Sequence, residues 1–128
     1  MYAVTDYSLA RRAVLEDLRA GRVTRSEVCD AQHELLRAAR NYGDPTEDAC
    51  PVCDAGDVVV VSFVFGERLA RNNGRVVAPD EIVRYVAMDG VRCYCVEVCL
   101  ECSWNHLRRS YLGDPAPAVP AGSEPRVT

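Results

Sequence analysis

The chain has 128 residues, 48% apolar and 27% charged, which suits one domain and excludes a protein that is disordered throughout. Its formal net charge is −4, and all fifteen basic residues are Arg. Residues 44–106 carry five Arg against eleven acidic residues, which excludes this segment as a nucleic-acid surface because phosphates would repel it. We expect a cytoplasmic protein without a membrane segment, since no apolar run is long enough to span a bilayer or to form a secretory signal.

Three short helices are predicted in the N-terminal segment, residues 1–43. The first covers residues 8–20, where apolar side chains recur every four residues. The second begins at Thr24, which opens a capping-box pattern. The third covers residues 32–42, after Asp30 as its expected cap. Together they resemble a helix-turn-helix outline.

A second unit is predicted over residues 44–113, where the composition changes to turns and β-branched runs. Its predicted elements are strands over 58–65, 75–77 and 91–98, and helices over 79–90 and 103–112. The last fifteen residues, 114–128, are rich in Pro, Ala and Gly and are predicted to be a disordered tail.

Two C-x-x-C motifs carry the strongest chemical signal: Cys50-Pro51-Val52-Cys53 and Cys99-Leu100-Glu101-Cys102. Each spacing lets two thiolates from one tight turn reach the same ion, and two such turns supply the closed tetrahedron that structural zinc prefers. We therefore predict one structural zinc ion bound by these four cysteines. Four protein ligands leave no open position for substrate, which argues against an enzyme.

Two other interpretations of these motifs compete with the zinc site. The four cysteines can be buried thiols without a metal. The sequence CPVC is also typical of a redox-active dithiol, which would need a helix after the first cysteine to lower its pKa. The turn-forming residues 54–57 leave no room for such a helix before the next strand, so the redox interpretation is disfavoured.

The remaining cysteines and the residues beside the second motif have simpler expected roles. Cys29, Cys93 and Cys95 are expected to fill the core, because a free cysteine behaves as a small buried hydrophobe. His106 lies four residues after Cys102 and is an alternative ligand or a hydrogen-bond donor next to the metal. Trp104 is expected to pack beside the site.

The segments TDYSLARRAVL, CPVC followed by VVSFVFGERL, and above all VEVCLECSWNHL resemble a family of small actinobacterial proteins of unknown function with a zinc-ribbon-like part. The resemblance extends over residues 3–113. It implies a metal site at Cys50, Cys53, Cys99 and Cys102, and it implies no activity.

The expected fold is α+β, with an N-terminal three-helix segment packed on a zinc-ribbon-like or treble-clef-like β unit and a C-terminal helix. The leading functional hypothesis is a non-enzymatic, zinc-binding adaptor that docks on RNA polymerase or the ribosome, by analogy with other zinc ribbons. One alternative is a DNA-binding regulator that uses Arg37 and Arg40 on the third helix. Another is a zinc-responsive or redox-responsive switch that uses Cys93 or Cys95.

Overall fold

The computed structural model describes residues 2–113, which form a mixed α+β structure. The strands are β1 (Tyr2–Asp6), β2 (Asp44–Ala49), β3 (Asp57–Phe65), β4 (Val76–Val77), β5 (Arg92–Val98) and β6 (Asn105–Gly113). The helices are α1 (Ser8–Arg19), α2 (Arg25–Val28), α3 (His33–Tyr42) and α4 (Ile82–Val86), with 3-10 turns at Glu67–Asn72 and Pro79–Glu81. Among these residues, no helix has the length and apolar character needed to cross a membrane.

One antiparallel sheet organises the described residues, in the order β1-β6-β5-β3-β2, with β4 pairing beside β3. Strands β2 and β3 form a hairpin through residues 50–56, and β5 and β6 form another through residues 99–104. Val59 at the start of β3 lies opposite Val98 at the end of β5. The two hairpin turns therefore meet at the same end of the sheet.

The register between β3 and β5 sorts their side chains onto two faces, because paired residues point to the same side. The α3 face carries Val59, Val61, Phe63, Tyr94, Val96 and Val98, and α3 packs there through Ala39. The α4 face carries Val60, Ser62, Val64, Cys93, Cys95 and Glu97, and α4 packs there through Tyr85 and Val86. The fully buried Val58 and Trp104 form a third cluster with α1, close to the two hairpin turns.

Several predicted elements are confirmed. Strands β3, β4 and β5 lie where the apolar runs placed them, and α2 begins with the expected capping box between Thr24 and Glu27. The predicted helix over 79–90 is shorter than expected, since it comprises one 3-10 turn and α4. The predicted tail, 114–128, lies outside the described residues.

The predicted C-terminal helix over 103–112 is wrong, because Asn105–Gly113 is strand β6. This strand pairs with β5 on one side and β1 on the other, so its backbone groups are used between strands. A β-bulge interrupts its register: Cys95 lies opposite Arg109 and Val96 opposite Leu107, which leaves Arg108 as an extra residue. The bulge breaks the alternation by which a strand is recognised.

The N-terminal segment also differs from the prediction. Helices α1, α2 and α3 occupy the predicted positions, but β1 precedes them and joins the sheet next to β6, so the segment is not an all-helical unit. Asp30 does not cap α3. Gln32 takes the cap position, and the Asp30 carboxylate accepts a hydrogen bond from Asn105 Nδ2 at 3.0 Å.

Candidate metal centre

The two hairpin turns bring together the four cysteines of the C-x-x-C motifs. The sulfur atoms of Cys50, Cys53, Cys99 and Cys102 all lie within 4.8 Å of one another, an arrangement that can hold a metal ion. Cys50 Sγ lies 3.7 Å from Cys102 Sγ, and Cys53 Sγ lies 3.6 Å from Cys99 Sγ. A tetrahedral ion with metal–sulfur bonds of about 2.3 Å requires neighbouring sulfurs about 3.8 Å apart. The measured separations across the two motifs fit that requirement, and all four cysteines are free thiols.

The two turns repeat the same backbone conformation. Asp54 N donates to Cys50 O at 3.1 Å, and Ser103 N donates to Cys99 O at 2.9 Å, so each turn closes at the residue after its second cysteine. That residue has a positive φ in both turns, 56° at Asp54 and 73° at Ser103. This left-handed conformation is unfavourable for most residues other than Gly, Asn and Asp, and both turns adopt it at the same position.

Backbone N–H groups point at the sulfur atoms within each turn. Cys50 Sγ accepts from the amides of Val52 and Cys53 at 3.4 and 3.5 Å. Cys53 Sγ accepts from Ala55 N at 3.4 Å, and Cys99 Sγ accepts from Glu101 N at 3.4 Å. Such bonds favour the thiolate, which is the form that binds metal.

The pKa values of these thiols depend on the balance between backbone amides and burial. The Ala55 amide lowers the pKa of the Cys53 thiol below its usual value. Burial raises the pKa of the Cys99 and Cys102 thiols, which opposes their ionisation without a cation. A metal ion would supply the positive charge that these two sulfurs lack.

A fifth sulfur atom lies against the site. Cys29, at the end of α2, places its Sγ 3.6 Å from Cys102 Sγ and packs against the cluster that contains Cys50 and Cys99. Cys29 therefore packs against the core, as expected, and in addition adjoins a candidate ligand. No spacing motif links Cys29 to the other cysteines, so the sequence contains no signal for this contact.

A buried polar network supports the second turn. Trp104 is fully buried beside the cysteines, as expected, and its Nε1 donates to Glu97 Oε2 at 2.7 Å. Arg11 Nε and Arg108 Nε both donate to Glu97 Oε1, at 2.9 and 3.0 Å. Burial would raise the pKa of the Glu97 carboxyl, but the hydrogen bonds from Arg11, Trp104 and Arg108 hold it below its usual value. The network connects α1, β5 and β6 next to the candidate metal centre.

The other predicted residues lie apart from the four cysteines. His106 is not one of the clustered side chains; its ring stacks on Trp104 with centroids 5.9 Å apart, and its Nδ1 lies 2.8 Å from Leu107 O. Cys93 and Cys95 are buried on the α4 face of β5. Arg37 and Arg40 are exposed on α3.

Comparison with known proteins places the chain among relatives that share most of its length. The model of a protein family of unknown function, DUF5318, matches residues 2–124. The chain belongs to this family. Uncharacterised proteins of Mycobacterium bovis and of two Mycobacterium tuberculosis strains are each 43% identical to it over 117 residues, which cover 90% of this chain and 85% of the relative. The expected resemblance to a small actinobacterial family of unknown function is confirmed. No solved structure matches the chain significantly.

Proposed function

We propose that the protein binds one structural zinc ion through Cys50, Cys53, Cys99 and Cys102. The observation that carries this proposal is the sulfur–sulfur separation of 3.6–3.7 Å across the two turns, which fits the edge of a zinc tetrahedron. The ion would supply folding free energy by joining the two hairpins, because its ligands come from turns 46 residues or more apart in the chain. Four thiolates fill the coordination sphere, so the ion would not activate water or substrate.

Native mass spectrometry of the purified chain tests this proposal, with one bound zinc per chain as the expected result. Cys50→Ser should lose the zinc, whereas Cys29→Ser should keep it, because Cys29 contacts one ligand but lies outside the group of four. A different stoichiometry would overturn the assignment, and so would equal zinc loss in the two variants.

We further propose that the zinc-bound protein is a non-enzymatic adaptor that docks on a large assembly, with RNA polymerase or the ribosome as the two candidate hosts. A groove of about 470 Å³ between α3 and β3 supports this function. Phe63 and Phe65 are apolar side chains of its lining, and Asp30 and Glu34 are acidic ones. Such a groove suits a protein segment that carries both a basic and an apolar side chain.

Quantitative capture from a lysate of the host cell tests the adaptor proposal. Glu34→Arg reverses one charge in the lining of the groove, and Glu16→Arg, on the exposed side of α1, is the matched control. We expect Glu34→Arg to reduce recovery of RNA polymerase or ribosomal proteins several-fold relative to Glu16→Arg. Equal recovery with the two variants, or recovery of neither assembly with the wild-type chain, would contradict the proposal.

One observation favours a second function, binding to duplex DNA. Arg37 and Arg40 are exposed and three residues apart on α3, so they lie on neighbouring positions of one helix surface. Binding through these residues would weaken with rising salt and would be lost in the double variant Arg37→Ala/Arg40→Ala. Absence of duplex binding by the wild-type chain at about 50 mM salt would exclude this function.

A further inference from the structure

Cys95 opens onto a cavity that is separate from the candidate metal centre. The cavity has a volume of about 250 Å³ and lies on the α4 face of the sheet. Side chains that line it include Asp44, Ser62, Cys95, Arg108, Arg109 and Tyr111. Cys95 is only 8% exposed, so a molecule reaches its sulfur through this cavity.

The surroundings of Cys95 favour a thiolate. The buried Ser62 hydroxyl donates to Cys95 Sγ at 3.3 Å from the neighbouring strand β3. The neighbouring Cys93 thiol, the Ser62 hydroxyl and the positive charge of Arg109 together lower the pKa of Cys95 to about 6 despite its burial. The neighbouring Cys95 thiol and burial raise the pKa of Cys93, so Cys95 is the more acidic thiol of the two.

The β-bulge in β6 explains why two arginines reach this cavity. Consecutive strand residues normally point to opposite faces, but the extra residue in a bulge allows Arg108 and Arg109 to line the same cavity. Arg108 forms ion pairs with Glu97, at 3.0 Å between Nε and Oε1, and with Asp48, at 2.7 Å between Nη2 and Oδ2. Arg109 is exposed and takes part in none of the ion pairs found within residues 2–113. Asp6 lies opposite Arg109 across the β1–β6 pairing and interacts with it electrostatically without forming an ion pair, so the guanidinium can still bind an incoming anion.

We propose that Cys95 is a modification site that forms a mixed disulfide with a small, carboxylate-bearing disulfide, and that Arg109 binds the carboxylate. In this exchange the Cys95 thiolate attacks one sulfur of the disulfide R–S–S–R. A bond forms between Cys95 Sγ and that sulfur, the original S–S bond breaks, and the other half leaves as the thiolate RS⁻. Cys95 is oxidised and the leaving sulfur is reduced, so electrons balance and no proton moves.

The charge and size of the cavity restrict the reacting molecule. A volume of about 250 Å³ lies just below the usual range for small-molecule sites, roughly 300–1,000 Å³, which favours a small adduct. The planar guanidinium of Arg109 matches a carboxylate in shape. Asp44 also lines the cavity and favours an adduct half that carries one carboxylate over a half that carries two. The titratable and charged groups facing Cys95 are Cys93 on its own strand, Arg108, Arg109 and Tyr111 on β6, and Tyr42 and Asp44 at the end of α3 and start of β2.

The test compares two disulfides that differ in charge but have similar leaving groups, 3,3′-dithiodipropionate and its neutral diamide. The zinc-loaded full chain is treated with each reagent, and the adducts are assigned to individual cysteines by peptide mass spectrometry. We expect Cys95 to react first, ahead of Cys29, and the anionic reagent to react about tenfold faster than the neutral one, as one charge-assisted hydrogen bond would provide. Cys95→Ser should abolish the early adduct.

Two arginine variants separate a specific role of Arg109 from a general effect of charge. Arg109→Gln should remove most of the preference for the anionic reagent. Arg19→Gln, an exposed arginine at the end of α1 that does not line the cavity, should preserve it. The proposal is overturned if Cys29 reacts before Cys95, or if the two variants show the same preference. Fluorescence of Trp104 confirms that each variant is folded.

Discussion

Replacing Glu97 with Gln tests the buried network next to the candidate metal centre. The substitution preserves the size of a fully buried side chain but removes the negative charge that Arg11 and Arg108 share. Removing one partner of a buried ion pair typically lowers the free energy of unfolding by about 3–5 kcal/mol. The two arginine side chains are 28% and 30% exposed, so water would partly solvate them in the variant. We therefore expect a loss of about 2–3 kcal/mol.

Urea denaturation at a fixed concentration of free zinc measures this loss. The chain has a single tryptophan, Trp104, and its burial makes its fluorescence a direct probe of unfolding. With a slope of about 1.5–2 kcal/mol per molar urea, the expected loss lowers the midpoint by more than about 1 M. The control is Asp48→Asn, which removes the 60% exposed partner of Arg108 and should cost less than about 1 kcal/mol. If Glu97→Gln costs no more than Asp48→Asn, the network does not stabilise the fold as argued.

Three further predictions concern single positions. Ser103→Gly should raise the free energy of unfolding by about 0.5–1 kcal/mol, because Ser103 has a φ of 73°, which glycine adopts more readily than serine. An unchanged urea midpoint would show that this φ does not lower the stability. Gly113→Ala should destabilise the protein by more than about 1 kcal/mol, because an added Cβ would collide with the Met88 carbonyl oxygen. A melting temperature equal to that of the wild-type chain would contradict this close contact. The rate of disulfide exchange at Cys95 should rise between pH 5 and 7 and then level off, since its pKa is about 6 and the thiolate is the reactive form. A rate that continues to rise up to pH 9 would indicate an ordinary thiol pKa at Cys95.

The elements predicted well are those whose pattern is local. The β-branched run of β3 and the alternation in β5 identify two central strands, and the capping box identifies α2. The candidate ligands are also identified by a local pattern, because the C-x-x-C spacing lets the two cysteines of one turn reach the same ion. The clustering of both motifs then follows from the pairing of β3 with β5.

The features missed by sequence reasoning depend on distant contacts. Strand β6 contains Leu and Arg residues that suit a helix, and its bulge at Arg108 removes the alternating pattern, so only its pairing with β5 and β1 makes it a strand. Strand β1 pairs with β6, at the other end of the described residues, so no local pattern predicts it. The approach of Cys29 to Cys102 joins residues 73 apart in the chain, and it depends on how α2 packs against the hairpin turns.

The position of both cysteine turns at one end of the sheet has a consequence for strand alignment. A slip of β3 by one residue along β5 would turn each of its side chains to the opposite face and would shift Cys53 by about 3.3 Å relative to Cys99. Four sulfurs held by one ion cannot accommodate that shift. A metal ion at this end would therefore stabilise the correct register selectively, because only a chain with β3 and β5 correctly paired could bind the ion through all four cysteines.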